Sequence, residues 1–516
     1  MDKFYLTTAI DYVNGAPHIG HAYEKIITDV IAKHFSQRLD DVYFLTGTDE
    51  HGIKIQKTAA EKGITPKQMC DEHSSKFKEA WSALDVEYNQ FIRTTDEAHK
   101  KVVQKIFKKL VYQGDIYKHS YTGLYCSGCE SFLNPKDLTE DGCCPVHMKK
   151  PEEVSEENYF FKLTKYKDAI AKHIKENPDF IVPSYRATEV LNQLEGIEDI
   201  SVSRAKSNVT WGIPVLGDDE QVIYVWIDAL SNYITALGYD PDGSSEKFKK
   251  YWPAEVQVIG KDILKFHSIY WPAILMALDV ELPKQLFVHG FININQAKMS
   301  KSTGNVISPV DILKNWELEI PDAFRYYMVT AAPMGKDGNY SDEDFKEKVN
   351  ADLANNMGNL LNRTLSMLVK YFDGEIKEEF KGQNPTNALE TLEKVKNMFD
   401  GYEISEAAFE IISLVNLTNK YVADNAPWTL AKEEKMTECG QVLTNVLEVM
   451  CIVSALIYPY CPNIAKAMAS QLKFDLNVKL EELTSNNLKI GKLIEKEDIK
   501  PVFLRLDSEF ADKGKK

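Results

Sequence analysis

Two textures of apolar and polar positions alternate over the first hundred residues. "KFYLTTAI" (3–10) is a short, nearly continuous apolar run of the kind a strand shows when both its faces are covered. Ile26, Ile27, Val30, Ile31 and Phe35 then recur at helical spacing and predict an amphipathic helix over Ala22–Phe35. "DVYFLTG" (41–47) predicts a second buried strand, and Glu97–Val111 a second amphipathic helix closed by Gly114. Strand and helix in alternation favour a parallel, doubly wound Rossmann-type sheet, an α/β fold.

The pattern changes after Gly114. Cysteine, glycine, proline and short aromatic strands take over, which reads as an insertion of roughly a hundred residues. Parallel-sheet texture returns at "VQVIGKDILKFHSIYWPAILMAL" (256–278) and "QLFVHGFI" (285–292). From about Asp342 onward the chain reads as helical, with leucine-rich periodicity and no strand signal.

Length and composition narrow the class. At 516 residues the chain is too long for one core, and roughly two to four domains are expected. Hydrophobic content of 44% and charged content of 27% fit a globular protein. The most apolar stretch, Met450–Tyr458, has about half the length a bilayer needs and stops at Pro459, so no membrane partner is expected. The N-terminus shows no basic region before an apolar block, which predicts a cytoplasmic location. Four of the eight cysteines crowd between Cys126 and Cys144, which points to metal in a reducing compartment. The net charge of −16 argues against non-specific coating of nucleic acid, though an acidic body can still carry a local basic track.

Candidate chemistry begins at "NGAPHIGHAYEKII" (14–27), where His18 and His21 flank Gly20 close to the first predicted helix. A helix N-terminus offers unpaired N–H groups and partial positive charge, and so binds phosphate. Gly15 and Gly20 permit close backbone approach, and two imidazoles can donate to phosphate oxygens. His-x-Gly-His alone arises by chance in about one chain in a hundred of this length, so for the tetrapeptide alone a pair of surface or capping histidines is the better explanation. "KMSKS" (298–302) changes that balance. It follows the strand "LFVHGFI" in loop-like sequence, and Lys298 and Lys301 place charge suited to a polyphosphate.

The two motifs together resemble the signatures of the class I aminoacyl-tRNA synthetases. The resemblance implies that His18, Gly20, His21, Lys298 and Lys301 bind ATP, brought as its Mg2+ complex, while an amino-acid carboxylate attacks the α-phosphate. Several further stretches resemble the methionyl family: "AIDYVNG" (9–15), "YVWIDAL" (224–230) and "GKDILKFHSIYWPA" (260–273). This implies that Ala9, Ile10, Tyr12, Trp226, Ala229, Leu230, Tyr233, Asp262, Phe266, His267 and Trp271 surround L-methionine. The resemblance also implies that Asp49 of "GTDEHG" takes the substrate ammonium and that Arg204 supports the reacting end. Aromatic walls suit a flexible, polarizable thioether. A tyrosine hydroxyl and a histidine N–H can select for its weakly accepting sulfur. Asp11 departs from the family pattern, where many relatives carry an uncharged residue; it is expected to point outward and is given no role.

Cys126-x2-Cys129, followed after fourteen residues by Cys144-x2-His147, has the two-pair spacing of a tetrahedral structural zinc site, with Cys143 able to compete for the place of Cys144. A closed Cys3His site has no open position and reads as structural. In the helical third, Leu353, Met357, Leu360, Leu361, Thr364 and Leu368 share one face, and Asn359 and Arg363 lie four apart on the opposite one. Trp428 follows Pro427 where a tryptophan can be exposed. Asparagine, arginine and an aromatic plate suit unstacked RNA bases. The family resemblance implies that these three residues read the CAU anticodon of tRNA(Met).

The expected architecture is therefore a Rossmann catalytic domain in two halves (1–114 and 223–292), separated by a zinc-containing connective insertion (115–222). A KMSKS and stem-contact region (293–345) and an α-helical anticodon-binding bundle (346–516) follow. The expected activity is ATP-dependent charging of tRNA, by a monomer, since nothing after the bundle has the texture of a further domain. Leucine, isoleucine and valine synthetases carry a larger editing insertion, and the pocket residues do not suit cysteine. An RNA-binding zinc protein on an inactive nucleotide fold is the alternative from another class, and intact motifs speak against it.

Overall fold

The computed structural model describes residues 3–126, 131–133, 135, 138–146, 148–295, 306–380 and 386–506. Among these, seven parallel strands form the main sheet: β1 (Phe4–Thr8), β2 (Asp11–Tyr12), β3 (Val42–Asp49), β4 (Gln90–Arg93), β5 (Ile181–Val182), β6 (Val256–Gly260) and β7 (Leu286–His289). β3 lies between β1 and β4, and the sheet continues from β1 through β6 and β7 to β5. The short β2 carries the line of β1 on to the end of β3, pairing Tyr12 with Asp49.

Successive residues of β1 enter different cores, as a doubly wound sheet requires. Phe4 and Leu6 join the core that holds helix α1 (Ile19–Ser36). Tyr5 joins the core that holds helix α2 (Glu97–Tyr112) and helix α3 (Val225–Thr235). The α1 core runs on without a break into the C-terminal helices.

That continuity corrects the reading of α1 as amphipathic. Every residue from Ala22 to Phe35 is buried, Glu24, Lys25, Asp29 and Lys33 included. The sheet covers one side and the helical bundle the other, so the charges pair inside the protein. Asp29 accepts from Lys33 Nζ at 2.7 Å and from Arg325 Nη2 at 2.6 Å. Arg325 is itself fully buried and donates further to the carbonyls of Leu84, Asp85, Pro459 and Tyr460. Such a group is strongly destabilised by loss of one partner, which locks the bundle to the sheet.

The segment after Gly114 builds a long antiparallel hairpin, Ile116–Cys126 with Glu152–Phe161, and a small sheet of Ser203–Ala205, Ile213–Val215 and Asp218–Ile223. One part of the 115–222 stretch belongs to the main sheet instead, because β5 pairs with β7 through Ile181 and Leu286. The C-terminal part is helical, with α4 (Asn359–Phe372), α5 (Ile404–Asn425) and α6 (Met436–Ile457) packed together. The expected stripe of Leu353, Met357, Leu360, Leu361, Thr364 and Leu368 is buried. By length and composition α6 could cross a membrane, which corrects the shorter apolar stretch read from the sequence, but 94% of its apolar window is buried inside the bundle.

Candidate active site

A cavity of about 570 Å³ opens at the carboxyl ends of β1, β3, β6 and β7, where open parallel sheets bind ligands. His18 and His21 sit on its floor. They do not precede the helix, as the sequence suggested, but build its start. His18 is the N-cap in extended backbone, its Nδ1 accepting from Gly20 N at 3.1 Å, and His21 Nδ1 accepts from His18 N at 3.3 Å. The two rings stack, with centroids 3.7 Å apart. A neutral ring that accepts at Nδ1 carries its proton on Nε2, the donor that a phosphate oxygen needs. No acidic side chain occupies the first turn, so the positive end of the helix is left unneutralised.

Asp49 ends β3 and lines the same cavity. The loop after it is tied to the opposite wall. His51 Nδ1 meets Asp228 Oδ2 at 2.7 Å, and His99 Nε2 meets Asp228 Oδ1 at 2.8 Å. Burial pushes the Asp228 carboxyl up, but the two histidines outweigh it and hold the group low. Asp228 belongs to α3, which also supplies Trp226, Ala229, Leu230 and Tyr233 to the cavity. A single carboxylate thus fixes the acidic loop against the aromatic wall.

Ala9, Ile10, Tyr12, Asp262 and His267 complete the predicted lining. Phe266 and Trp271 do not reach it. Phe266 stacks on Trp226 with centroids 3.5 Å apart, and Trp271 is fully buried against Tyr233 and Trp252. Phe266 begins a π-helical turn, Phe266–Tyr270, and Trp271 follows it at the start of the next helix. Selection of sulfur by an N–H of His267 is also corrected. Nδ1 of His267 faces the Ile263 carbonyl at 3.0 Å and must donate, so Nε2 accepts the Tyr233 hydroxyl at 2.7 Å. Burial holds this ring neutral, its pKa driven down to about 4.

Arg204 lies outside this cavity, in a smaller cleft with His51, Tyr125, Trp211 and Tyr224. Its guanidinium sits 4.0 Å from the Tyr224 ring centroid and donates to Ser201 Oγ and Ser203 O, each at 2.7 Å. Lys298 and Lys301 fall outside the described residues. The segments on either side of them reach the site: Ile292 lines the cavity, and the Ile307 carbonyl accepts from Ile19 N at the start of α1.

Asp11 does not point outward. It is buried, lines the cavity and meets Lys25 Nζ at 2.9 Å. Burial raises its carboxyl to about 7 against the pull of Lys25. For the neighbouring Glu24, Lys25 and His289 outweigh burial and hold the carboxyl low. Glu24, Gly260, His289 and Gly290 also line the cavity without having been singled out. The signal was present for three of them, since "VIG" and "VHG" end buried strands on the same side as Asp49.

The sequence and the fold both have known relatives. Residues 4–152 and 133–365 match the family described as tRNA synthetases class I (M), and residues 379–500 match the anticodon binding domain of methionyl tRNA ligase. The chain belongs to the methionyl family of class I tRNA synthetases. It is 46% identical to the methionine–tRNA ligase of Clostridium perfringens over 514 residues, 98% of this chain and 78% of that protein. Over 516 residues it is 41% identical to the Thermotoga maritima methionine–tRNA ligase, covering 98% of this chain and 81% of that one. Its structure is similar to that of Mycobacterium tuberculosis methionyl-tRNA synthetase in complex with methionyl-adenylate. The TM-score is 0.91 at 37% identity, covering 98% of this chain and 100% of that one. The free form of the same enzyme gives a TM-score of 0.85 at 34% identity, covering 98% and 99%.

Two outlying sites complete the picture. Cys126 ends the first strand of the long hairpin and is buried; Cys144 is buried in a turn closed by Met148 N to Cys144 O and by Cys144 N to Lys149 O, each 2.8 Å. Cys143 is half-buried, its sulfur near the Asp141 carbonyl. Cys129 and His147 lie outside the described residues, and among the described ones no three candidate ligands gather. In the bundle, Asn359 and Arg363 are exposed on α4, and Arg363 Nη2 donates to Asn419 Oδ1 of α5 at 2.9 Å. Trp428 is 42% exposed on the short helix Pro427–Lys432.

Proposed function

We propose that the chain is a methionine–tRNA ligase. It activates L-methionine with ATP to methionyl-adenylate, releasing diphosphate, then passes methionine to the 3′ adenosine of tRNA(Met), releasing AMP. The cavity carries this reading, because it sets a phosphate-binding helix start and a carboxylate beside an aromatic wall. Family membership over nearly the whole chain supports it.

In this reading the Nε2–H groups of His18 and His21 and the positive end of α1 hold the ATP phosphates, with Gly20 allowing close approach. Lys298 and Lys301 add charge that grows in value as negative charge develops on the leaving diphosphate. Mg2+ arrives with ATP and neutralises part of the phosphate charge. Asp49 takes the methionine ammonium, which aims the carboxylate at the α-phosphorus; such positioning is most of the catalysis. Ala9, Ile10, Tyr12, Trp226, Ala229, Leu230, Tyr233, Asp262 and His267 enclose the side chain, with Phe266 and Trp271 buttressing them. Arg204 serves the reacting end from the adjoining cleft.

Zn2+ belongs to the same proposal, held by Cys126, Cys129, Cys144 and His147 as a structural ion. The chemistry of the donor set fits: of the described donors, Cys126 is buried at the end of a strand and Cys144 in a turn, and the greater exposure of Cys143 favours Cys144 over it. Asn359, Arg363 and Trp428 form the proposed anticodon surface. A monomer in the cytoplasm completes the reading, with light scattering the check on the first part.

The deciding experiment is ATP–diphosphate exchange measured with each amino acid in turn, then charging of tRNA(Met). Exchange should depend on methionine alone. Exchange driven by another amino acid, or by none, overturns the proposal.

A further inference from the structure

The line of strand formed by β1 and β2 is interrupted inside the cavity. Thr7 pairs with Leu45 and Asp11 with Thr48, so the β1–β2 side holds one residue more than its partner strand. The extra residue makes a bulge at Ala9–Ile10, and both residues line the cavity. Bulges of this kind re-aim side chains beside ligand sites. On one side the bulge is held by Ala9 N donating to the Val258 carbonyl at 3.1 Å.

On the other side it is held by a charge. Lys25 reaches from α1 with no exposed surface, and its ammonium donates to Ala9 O at 3.0 Å, Asp11 Oδ1 at 2.9 Å and Glu24 Oε1 at 2.8 Å. Those three bonds use all three of its protons. Glu24 Oε2 meets His289 Nε2 at 3.0 Å, and His289 Nδ1 meets the Gly290 carbonyl at 2.8 Å, so the group is closed on the far side too. Filling the space behind a strand needs only an apolar side chain, and burying an ammonium there is costly unless it is fully paired. What the ammonium adds is direction. It grips the backbone before Ile10 and the side chain after it, leaving Ile10 little freedom to shift.

We propose that Lys25 and Asp11 are positioning residues for the amino-acid substrate, fixing the Ala9–Ile10 bulge and thereby the wall that Ile10 presents to methionine. This rests on the methionine-activating reading above. They act through Ile10, while His18, His21 and Asp49 keep the chemistry.

The test uses the full chain in methionine-dependent ATP–diphosphate exchange, with thermal unfolding in parallel. Asp11→Ala removes one tether and leaves Lys25 paired with Glu24. It should raise the KM for methionine by about tenfold, with the KM for ATP changed less than about twofold. Asp11→Asn keeps an oxygen for Lys25 and should recover most of the loss. The double variant Asp11→Asn with Lys25→Met removes both charges together and leaves Glu24 its bond to His289, and it should show the raised methionine KM even if Asp11→Ala does not fold. A folded double variant with a normal methionine KM overturns the inference. A lowered melting temperature with both KM values unchanged does so too, since the pair then serves the fold alone. If the wild-type chain shows no methionine-dependent exchange, the functional reading itself has failed, which is a separate result.

Discussion

The Tyr233 hydroxyl donates to Nε2 of His267 across 2.7 Å, and Nδ1 of the same ring donates to the Ile263 carbonyl across 3.0 Å. Both ring nitrogens are thereby committed inside the protein, and burial drives the ring's pKa down to about 4 from the usual 6.5. The unfolded chain takes up this proton near 6.5, the folded chain only near 4. Stability contributed by the neutral ring is therefore intact above about pH 6.5 and is lost as the pH falls toward 4, by about 3 kcal/mol in all. His267→Gln removes this proton linkage. Its melting temperature should fall less than that of the wild type between about pH 8 and about pH 5. Equal falls would show that His267 does not carry the effect.

The phosphate role of the "KMSKS" segment rests on its flanks, Ile292 at the cavity and Ile307 bonded to the start of α1. Lys301→Ala should slow single-turnover formation of the adenylate by several orders of magnitude while methionine affinity changes little. A rate within a few-fold of wild type would remove Lys301 from the reaction.

Zinc is checked by elemental analysis of the freshly purified chain, which should hold about one ion. Cys129→Ser should lower that content and make the hairpin Ile116–Cys126/Glu152–Phe161 more open to proteolysis. A wild-type chain with no metal would refute the site.

The sheet, the helical third and the position of the cavity were legible because each is written in local periodicity. Buried strands show as apolar runs, and ligands gather where such strands end. The start of α1 was misplaced because its cap is histidine, whose usual absence from capping positions hides the signal. The charges of α1 read as a solvent face because the sequence does not tell which distant element covers them; Asp29 needs Arg325, nearly three hundred residues away. Asp11 failed for the same reason, since a carboxylate reads as surface until Lys25 is placed beside it. Phe266 and Trp271 were assigned to the wall by the family resemblance, and a likeness of motifs does not separate a side chain that meets the cavity from one packed behind it, as Phe266 is on Trp226 and Trp271 against Tyr233.

The bundle offers the sharpest separation of roles. Arg363 and Trp428 are both exposed, and Arg363 is oriented by Asn419 at 2.9 Å. An unstacked base on an exposed indole is worth roughly 1–3 kcal/mol by alanine substitution. Trp428→Ala should therefore weaken charging of tRNA(Met) by about tenfold or more, since about 1.4 kcal/mol is a factor of ten. Adenylate formation should stay near normal, because the groups that handle ATP and methionine sit at the ends of β1, β3, β6 and β7. At 42% exposure Trp428 has little packing to lose, so the melting temperature should barely move. Loss of both activities together, with a lowered melting temperature, would instead make Trp428 a support for the fold and leave the anticodon surface to Asn359 and Arg363.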